Sequence, residues 1–148
     1  MSHGNPAAVA IARQWIGTPY LHQASCLGAG ADCLGLVRGI WRGLNGEEPA
    51  AVPPYTPDWS EPRRQERLWH AARLHLVERP LGALLPGDVV LFRMRDGGVA
   101  KHLGVISQAG ARAAFIHAYT GHGVIESPLS APWQRRIVAR FEFPDRRL

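Results

Sequence analysis

The stretch Gly30-Ala-Asp-Cys-Leu-Gly-Leu-Val37 contains both the start of a helix and a cysteine in its first turn. Asp32 is a favourable N-cap residue, and apolar side chains then recur at helical spacing, so we predict a helix over residues 33–44. A thiol at the start of a helix lies near unpaired backbone amides, whose partial positive charge favours the thiolate. Cys33 is therefore a candidate nucleophile.

Two histidines on predicted strands are candidate partners of this cysteine. His102 begins a strand in Lys-His-Leu-Gly-Val-Ile, and His117 lies within Phe-Ile-His-Ala-Tyr. Alternate residues of a strand share a face, so pairing of the two strands can place the two imidazoles side by side. If the helix that starts at Cys33 covers that face, one histidine can hold the thiol proton while the other orients it. This layout is typical of a cysteine hydrolase.

The rest of the pattern predicts helices first and short strands afterwards. Asn5 and Pro6 are typical of a helix start, and Val9, Ala12 and Ile16 follow at helical spacing. A third helix is predicted at 61–78, and strands are predicted at 89–92, 102–107, 113–119, 123–126 and 137–143. This order predicts an α+β fold in which N-terminal helices pack on a C-terminal antiparallel sheet, and we expect residues 1–148 to form a single domain.

Composition restricts the possible partners and location of the chain. It has 148 residues, 46% of them hydrophobic, and a formal net charge of +5 in which Lys101 is the only lysine. A basic surface favours anionic partners, but no nucleic-acid-binding motif accompanies the charge, so we expect no direct nucleic-acid contact. No stretch approaches the roughly 20 apolar residues of a membrane helix, and the N-terminus lacks the segments of a secretory signal. We therefore expect a chain made in the cytoplasm, without membrane insertion.

The second cysteine, Cys26, has no partner motif, and we interpret it as a packing thiol. A bridge between Cys26 and Cys33 is an alternative, although it is disfavoured in a chain without an export signal. A zinc site formed by both cysteines with His102 and His117 is another alternative, but structural zinc sites usually contain ligand pairs close in sequence, and none exists here. We predict no metal and no cofactor.

Several short stretches together resemble one family. They are Trp15-Ile-Gly-Thr-Pro-Tyr20, His22-Gln-Ala-Ser25, Gly30 to Val37, Pro86-Gly-Asp-Val-Val-Leu-Phe92, Lys101-His-Leu-Gly-Val-Ile106 and Phe115-Ile-His-Ala-Tyr119. The chain resembles the NlpC/P60 family of cell-wall cysteine peptidases. It is more closely similar to the subgroup carried by prophages and tailed-phage-like particles, including gene transfer agents. One departure is Leu34, where many members have serine after the cysteine, and we interpret it as a subgroup trait.

The resemblance implies a papain-like α+β fold and assigns roles by position. Cys33 would be the nucleophile, His102 the general base and then the acid, and His117 the residue that orients His102. Tyr20 matches a tyrosine whose hydroxyl helps to bind the oxyanion, and Asp32 matches the acidic residue before the cysteine. One more residue, His22, lies close to the nucleophile in sequence and is a candidate for substrate binding.

The resemblance also implies a substrate and a setting. Family members cleave peptide bonds in the peptidoglycan stem, often between D-glutamate and the diamino acid, and need no cofactor. Similarity to the particle-borne subgroup implies an enzyme docked on phage-like tail proteins that opens the cell wall locally. A catalytically silent tail-assembly module with the same fold is the main alternative. A related thiol hydrolase or acyltransferase acting on another amide or ester is a second alternative.

Overall fold

A computed structural model describes residues 4–57, 59 and 65–145. The helices are α1 (Pro6–Trp15), α2 (Cys33–Asn45), α3 (Arg67–His75) and α4 (Ala131–Gln134). The strands are β1 (Ser25–Cys26), β2 (Gly30–Ala31), β3 (Val77–Arg79), β4 (Val89–Arg93), β5 (Ala100–Gln108), β6 (Ala114–Tyr119), β7 (Gly123–Pro128) and β8 (Ile137–Glu142). Strands β3 to β8 form an antiparallel sheet in the order β3-β8-β4-β5-β6-β7, and β1 pairs with β2. The predicted α+β fold with an antiparallel sheet is confirmed.

Helix α1 begins as the sequence predicts but ends before its last predicted apolar residue. The side chain of Asn5 accepts a hydrogen bond from the Ala8 amide at 3.1 Å, which caps the helix. The buried residues are Ala8, Ala12 and Trp15. The prediction that Ile16 belongs to the apolar stripe is wrong, because the backbone turns out of helical geometry at this residue, which is 41% exposed.

Helix α2, which carries Cys33, matches its prediction closely. The Asp32 carboxylate accepts a hydrogen bond from the Gly35 amide at 2.7 Å, as an N-cap should. At the other end Gly46 has a φ of 82°, a conformation that glycine adopts without steric cost. The predicted stripe is confirmed, with Leu36, Val37, Ile40 and Trp41 buried and Leu44 packed against the same core.

Three glycines spaced four residues apart form a stripe along α2, which we call the glycine stripe (Gly35, Gly39 and Gly43). A Cβ atom at Gly35 would lie 1.8 Å from the carbonyl oxygen of Ala24, and one at Gly39 would lie 2.0 Å from the ring of Trp15. At Gly43 a Cβ would lie 2.8 Å from an isoleucine side chain of α1. The missing side chains therefore let α1 and the loop before α2 approach the helix closely.

Helix α3 is shorter than the predicted helix over 61–78. Residues 61–64 of that prediction lie outside the described residues. At its other end the helix stops at His75, because Leu76 is extended and residues 77–79 form the edge strand β3. Val77 pairs with Glu142 of β8, a partner far away in sequence that helical periodicity cannot reveal.

Candidate active site

Cys33 lies at the start of α2 against the backbone of β5. Its side chain is buried, and its sulfur lies 3.9 Å from the carbonyl oxygen of Lys101, to which the thiol donates. Lys101 directly precedes His102. The fold therefore brings the thiol to the backbone segment that carries His102.

The two candidate histidines lie side by side, as predicted. His102 Nε2 is 2.8 Å from His117 Nδ1, and both side chains are buried. On its other side, His117 Nε2 is 2.9 Å from Oγ of Ser127 on β7. Sequence analysis missed Ser127, because its relation to His117 depends on the pairing of β7 with β6.

The histidine pair does not lie on the face of the sheet that α2 covers. The apolar stripe of α2 packs in one core with Leu103, Val105 and Ile116. The rings of both histidines instead contact Phe115 or Phe92, which belong to a second core on the opposite face. The condition that α2 covers the histidine face is therefore not met. The thiol reaches β5 from the end of the helix, because Cys33 is its first residue.

Trp133 of the short helix α4 packs on the histidine pair. Its ring centroid is 5.8 Å from that of His102 and 5.3 Å from that of His117. It also contacts the rings of Phe115 and Tyr119, so aromatic groups surround the two imidazoles. This surrounding explains how two histidines can be buried on an apolar face of the sheet.

Burial keeps the thiol and the imidazoles in their neutral forms. Burial, followed by the charge of Asp32, raises the pKa of Cys33 to about 12. Burial, followed by the neighbouring His117, lowers the pKa of His102 to about 3. Burial also lowers the pKa of His117 to about 4. Backbone amides near the helix start do lower the pKa of Cys33, as expected, but burial and the charge of Asp32 raise it by more.

Asp32, the residue before Cys33, holds several elements together, and its carboxylate is almost fully buried. One oxygen caps α2, and Oδ2 accepts hydrogen bonds from the Gln23 amide at 2.7 Å and from the Tyr55 hydroxyl. The Nδ1 atom of His22 lies 3.7 Å from the same oxygen. Asp32 thus joins the start of α2 to the loop before it and to the connector that follows it.

His22 and Tyr20 lie in the loop that precedes Cys33. Nε2 of His22 is 2.9 Å from the backbone carbonyl oxygen of Tyr55. Tyr20 is half-buried, and a hydrogen bond joins its side chain to that of Thr120. Burial and the charges of Cys33 and Asp32 raise the pKa of Tyr20. The ionisable group of Tyr20 is therefore within electrostatic range of the Cys33 sulfur.

The connector between α2 and α3 supplies a residue that sequence analysis missed. Tyr55 is buried and stacks on Trp59 with ring centroids 4.1 Å apart. Burial and the hydrogen bond to Asp32 raise the pKa of Tyr55, so its hydroxyl keeps its proton. The proline-rich sequence predicts an irregular connector and offers no signal that one tyrosine is anchored to the N-cap of α2.

Cys26 does not behave as predicted. It is exposed rather than packed, and it is the second residue of the two-residue strand β1. Both cysteines are free. Within residues 4–57, 59 and 65–145, no group of three or more histidine, cysteine or acidic side chains is arranged to hold a metal ion. In the same residues, no helix has the length and apolarity needed to cross a membrane.

A largely apolar cavity of about 620 Å³ lies between α2, α3 and the connector. Leu34 and Leu103, which follow Cys33 and His102 in sequence, form part of its lining. Tyr55 and Trp59 line it from the connector. The candidate active site is therefore bordered by this cavity on the α2 side of the sheet.

Comparison with known proteins identifies the family. Residues 17–142 match the profile described as the NlpC/P60 family. The match covers the helix start at Cys33 and the strands that carry His102 and His117. This chain belongs to the NlpC/P60 family. No curated protein sequence matches it significantly.

Solved structures share the fold at low sequence identity. The NlpC/p60 domain of the peptidoglycan hydrolase SagA is 20% identical, with a TM-score of 0.62, and the match covers 94% of this chain and 99% of that domain. An NLP/P60 family protein, similar to lipoprotein, from Staphylococcus aureus subsp. aureus Mu50 is 17% identical with a TM-score of 0.59 over 95% of this chain. A Bacillus cereus ATCC 10987 family protein is 17% identical with a TM-score of 0.60 over 96% of this chain. The chain spans only 43% and 41% of these last two proteins.

Proposed function

We propose that this chain is a cysteine endopeptidase that hydrolyses amide bonds in the peptidoglycan stem peptide. The observation that carries the proposal is the buried pair of His102 on β5 and His117 on β6, whose ring nitrogens are 2.8 Å apart, beside the β5 backbone that the Cys33 thiol contacts. Membership of the NlpC/P60 family and the likeness to the SagA domain support this substrate class.

In the proposed mechanism His102 is the general base. Because its Nε2 is engaged with His117, its Nδ1 would take the proton of Cys33 as the sulfur attacks the scissile carbonyl carbon. Burial raises the pKa of Cys33 and lowers that of His102, so both groups are neutral before the reaction. The proton would therefore move from sulfur to imidazole as the sulfur attacks, rather than before it. The backbone amide of Cys33 and the Tyr20 hydroxyl would donate to the oxyanion, and one such donor contributes about 3 kcal/mol to lowering the barrier.

The second half of the reaction restores the thiol. Protonated His102 gives its proton to the amide nitrogen as the carbon–nitrogen bond breaks, which leaves a thioester on Cys33. His102 then takes a proton from water, whose oxygen attacks the thioester carbon, and the carbon–sulfur bond breaks. The departing sulfur regains its proton from His102. Throughout, His117 holds the His102 ring, and Ser127 in turn accepts from His117. No cofactor is required.

The direct test is digestion of purified peptidoglycan sacculi, followed by mass analysis of the released peptides. Cys33→Ala should abolish release while the far-ultraviolet circular dichroism stays that of the wild type. Cys26→Ala is the matched control, because Cys26 is exposed and free, and it should retain full activity. Peptide release by Cys33→Ala at the wild-type rate would refute the mechanism.

We further propose that the enzyme belongs to the particle-borne subgroup. It would be made in the cytoplasm, docked on phage-like tail proteins, and act in the periplasm or cell wall when the tail opens the wall locally. The sequence stretches around Cys33, His102 and His117 support this setting through their resemblance to that subgroup. Mass spectrometry of purified particles from the producing strain should detect the chain, and its repeated absence would count against the setting.

A catalytically silent tail module with the same fold remains the competing proposal. Selective alkylation separates the two, because an active-site thiol should react with a substrate-like peptide electrophile at Cys33 in preference to the exposed Cys26. Modification at Cys26 alone, together with no release from sacculi, would favour the silent module.

A further inference from the structure

Tyr55 is anchored at both ends to the segment that leads into Cys33. Its hydroxyl donates to Oδ2 of Asp32, the residue directly before the nucleophile. Its backbone carbonyl accepts a hydrogen bond from Nε2 of Gln23 at 2.7 Å and lies 2.9 Å from Nε2 of His22. The residue is only 8% exposed, and its ring stacks on that of Trp59 in the connector. A single connector residue is therefore bonded to both ends of the segment from His22 to Asp32, which leads into Cys33.

The carboxylate that Tyr55 contacts opposes formation of the Cys33 thiolate. A negative charge beside a thiol disfavours its ionised form, and hydrogen-bond donors to the carboxylate weaken that effect by drawing charge toward themselves. The backbone amides of Gly35 and Gln23 also donate to Asp32, and both are fixed by the fold. The Tyr55 hydroxyl is a donor that one conservative substitution removes.

We propose that Tyr55 is a positioning residue that controls the reactivity of the Cys33 thiol through its hydrogen bond to Asp32. The proposal rests on the proposed function only in taking Cys33 as the reacting group. The hydroxyl donates over the whole working range, because burial keeps the phenol protonated. Tyr55 touches the carboxylate rather than the sulfur, so its effect on Cys33 is indirect.

The expected effect is on the pH dependence of thiol alkylation. The ionisable groups that act on the Cys33 thiol or the Asp32 carboxylate are Tyr20 and His22 in the preceding loop, Arg38 on α2 and Tyr55 in the connector. On β5 the thiol contacts the backbone carbonyl of Lys101, and His102 follows that residue in sequence. Tyr55→Phe keeps the ring and its stack but removes the donor. The thiolate should then be harder to form, so alkylation should be about three- to tenfold slower at a fixed pH, which corresponds to about half a unit to one unit on the pH axis.

The experiment measures iodoacetamide modification of Cys33 by mass spectrometry between pH 6 and pH 10, in a Cys26→Ser background that removes the exposed thiol. Asp32→Asn retains an N-cap side chain but removes the charge, so it should accelerate alkylation. In the Asp32→Asn background, Tyr55→Phe should have no further effect, since there is no carboxylate charge left to weaken.

A matched control separates the hydroxyl from the anchoring of the connector. Gln23→Asn shortens the side chain that donates to the Tyr55 carbonyl but leaves the hydroxyl free to donate to Asp32. Gln23 has a φ of 65°, a conformation that asparagine tolerates. This variant should keep the alkylation profile of the parent.

Four outcomes would overturn the proposal. The first is an alkylation profile of Tyr55→Phe that is the same as that of the parent, and the second is a shift in Gln23→Asn as large as that in Tyr55→Phe. The third is that Tyr55→Phe shifts the profile equally with and without Asp32→Asn. The fourth is that Asp32→Asn itself does not accelerate alkylation. The last measurement can overturn the proposal even if Tyr55→Phe fails to fold. Because alkylation needs no substrate, a chain that fails to digest sacculi can still show the coupling, and an active enzyme can lack it.

Discussion

His102 Nε2 lies 2.8 Å from Nδ1 of His117, and neither imidazole has substantial contact with solvent. One ring must donate to the other, so the tautomers of the two rings are coupled. Ser127 extends this chain by one hydrogen bond, because it lies 2.9 Å from the remaining nitrogen of His117. An orienting chain of this kind is what a neutral general base requires, since the base must present one particular nitrogen to its substrate proton.

The first prediction concerns how much each member of the hydrogen-bonded series His102, His117 and Ser127 contributes to activity. Replacing His102 by alanine removes the proposed base and should lower kcat on peptidoglycan by about 10²–10⁴-fold. His117→Ala leaves the base but frees its tautomer, and loss of such an orienting group can cost up to about 10⁴-fold. Ser127→Ala should cost less than either change, because it removes only the far end of the chain. The kcat values of the three purified variants test this order, and an inactive Ser127→Ala beside an active His117→Ala would contradict it.

The second prediction concerns stability in acid. In the folded chain the pKa of His102 is lowered to about 3 and that of His117 to about 4, whereas an unfolded histidine titrates near 6.5. Between these values the unfolded chain binds protons that the folded chain does not, so the free energy of unfolding should fall as the pH drops below about 6.5. By pH 5, each histidine should lower the free energy of unfolding by about 1–2 kcal/mol.

Urea unfolding at pH 7 and pH 5 measures this loss. His117→Asn removes one of the titrating groups, so the difference between the two pH values should shrink in that variant. A variant whose pH dependence equals that of the wild type would show that His117 does not titrate as its burial implies.

The third prediction concerns the glycine stripe of α2. In Gly39→Ala the new methyl group would lie 2.0 Å from the Trp15 ring, so helix or ring must move, and overpacking of this kind costs about 1–3 kcal/mol. Gly82→Ala is the control, because nothing lies within 4 Å of a Cβ at that position. Urea unfolding should show the loss in Gly39→Ala alone. If both variants had the same stability, close packing at Gly39 would be refuted.

The fourth prediction concerns Trp133, whose ring contacts both histidines. Burial is the main cause of the lowered pKa of each histidine, so Trp133→Ala should admit water and raise both pKa values toward 6.5. Titration of the imidazole resonances by nuclear magnetic resonance measures the change. Trp69→Ala is the control, since Trp69 lies on α3 and packs against the other core. Equal titration curves in the two variants would rule out this role for Trp133.

Local signals in the sequence were enough to predict the parts of the fold that local interactions determine. The N-caps at Asn5 and Asp32 and the end of α2 at Gly46 follow from short-range chemistry. The alternation along β5 and β6 predicted that His102 and His117 lie side by side, because a strand exposes every second residue to the same face.

The predictions that failed depend on contacts between distant segments. Strand β3 exists because β8 pairs with it, and the face that α2 covers depends on how the whole sheet is placed. The direction of the pKa shift of Cys33 depends on burial, which the helix start alone cannot indicate. The role of Tyr55 depends on a hydrogen bond across 23 positions of sequence, from a connector without regular pattern.

The glycine stripe affects where the sulfur of Cys33 lies. The helix that begins at Cys33 is pressed against its neighbours where Gly35 and Gly39 have no side chain. A carbon atom added there would have to displace the helix or its neighbour, and a displaced helix would carry the thiol away from β5. The location of the Cys33 thiol thus depends partly on two residues that lack side chains and carry no reactive group.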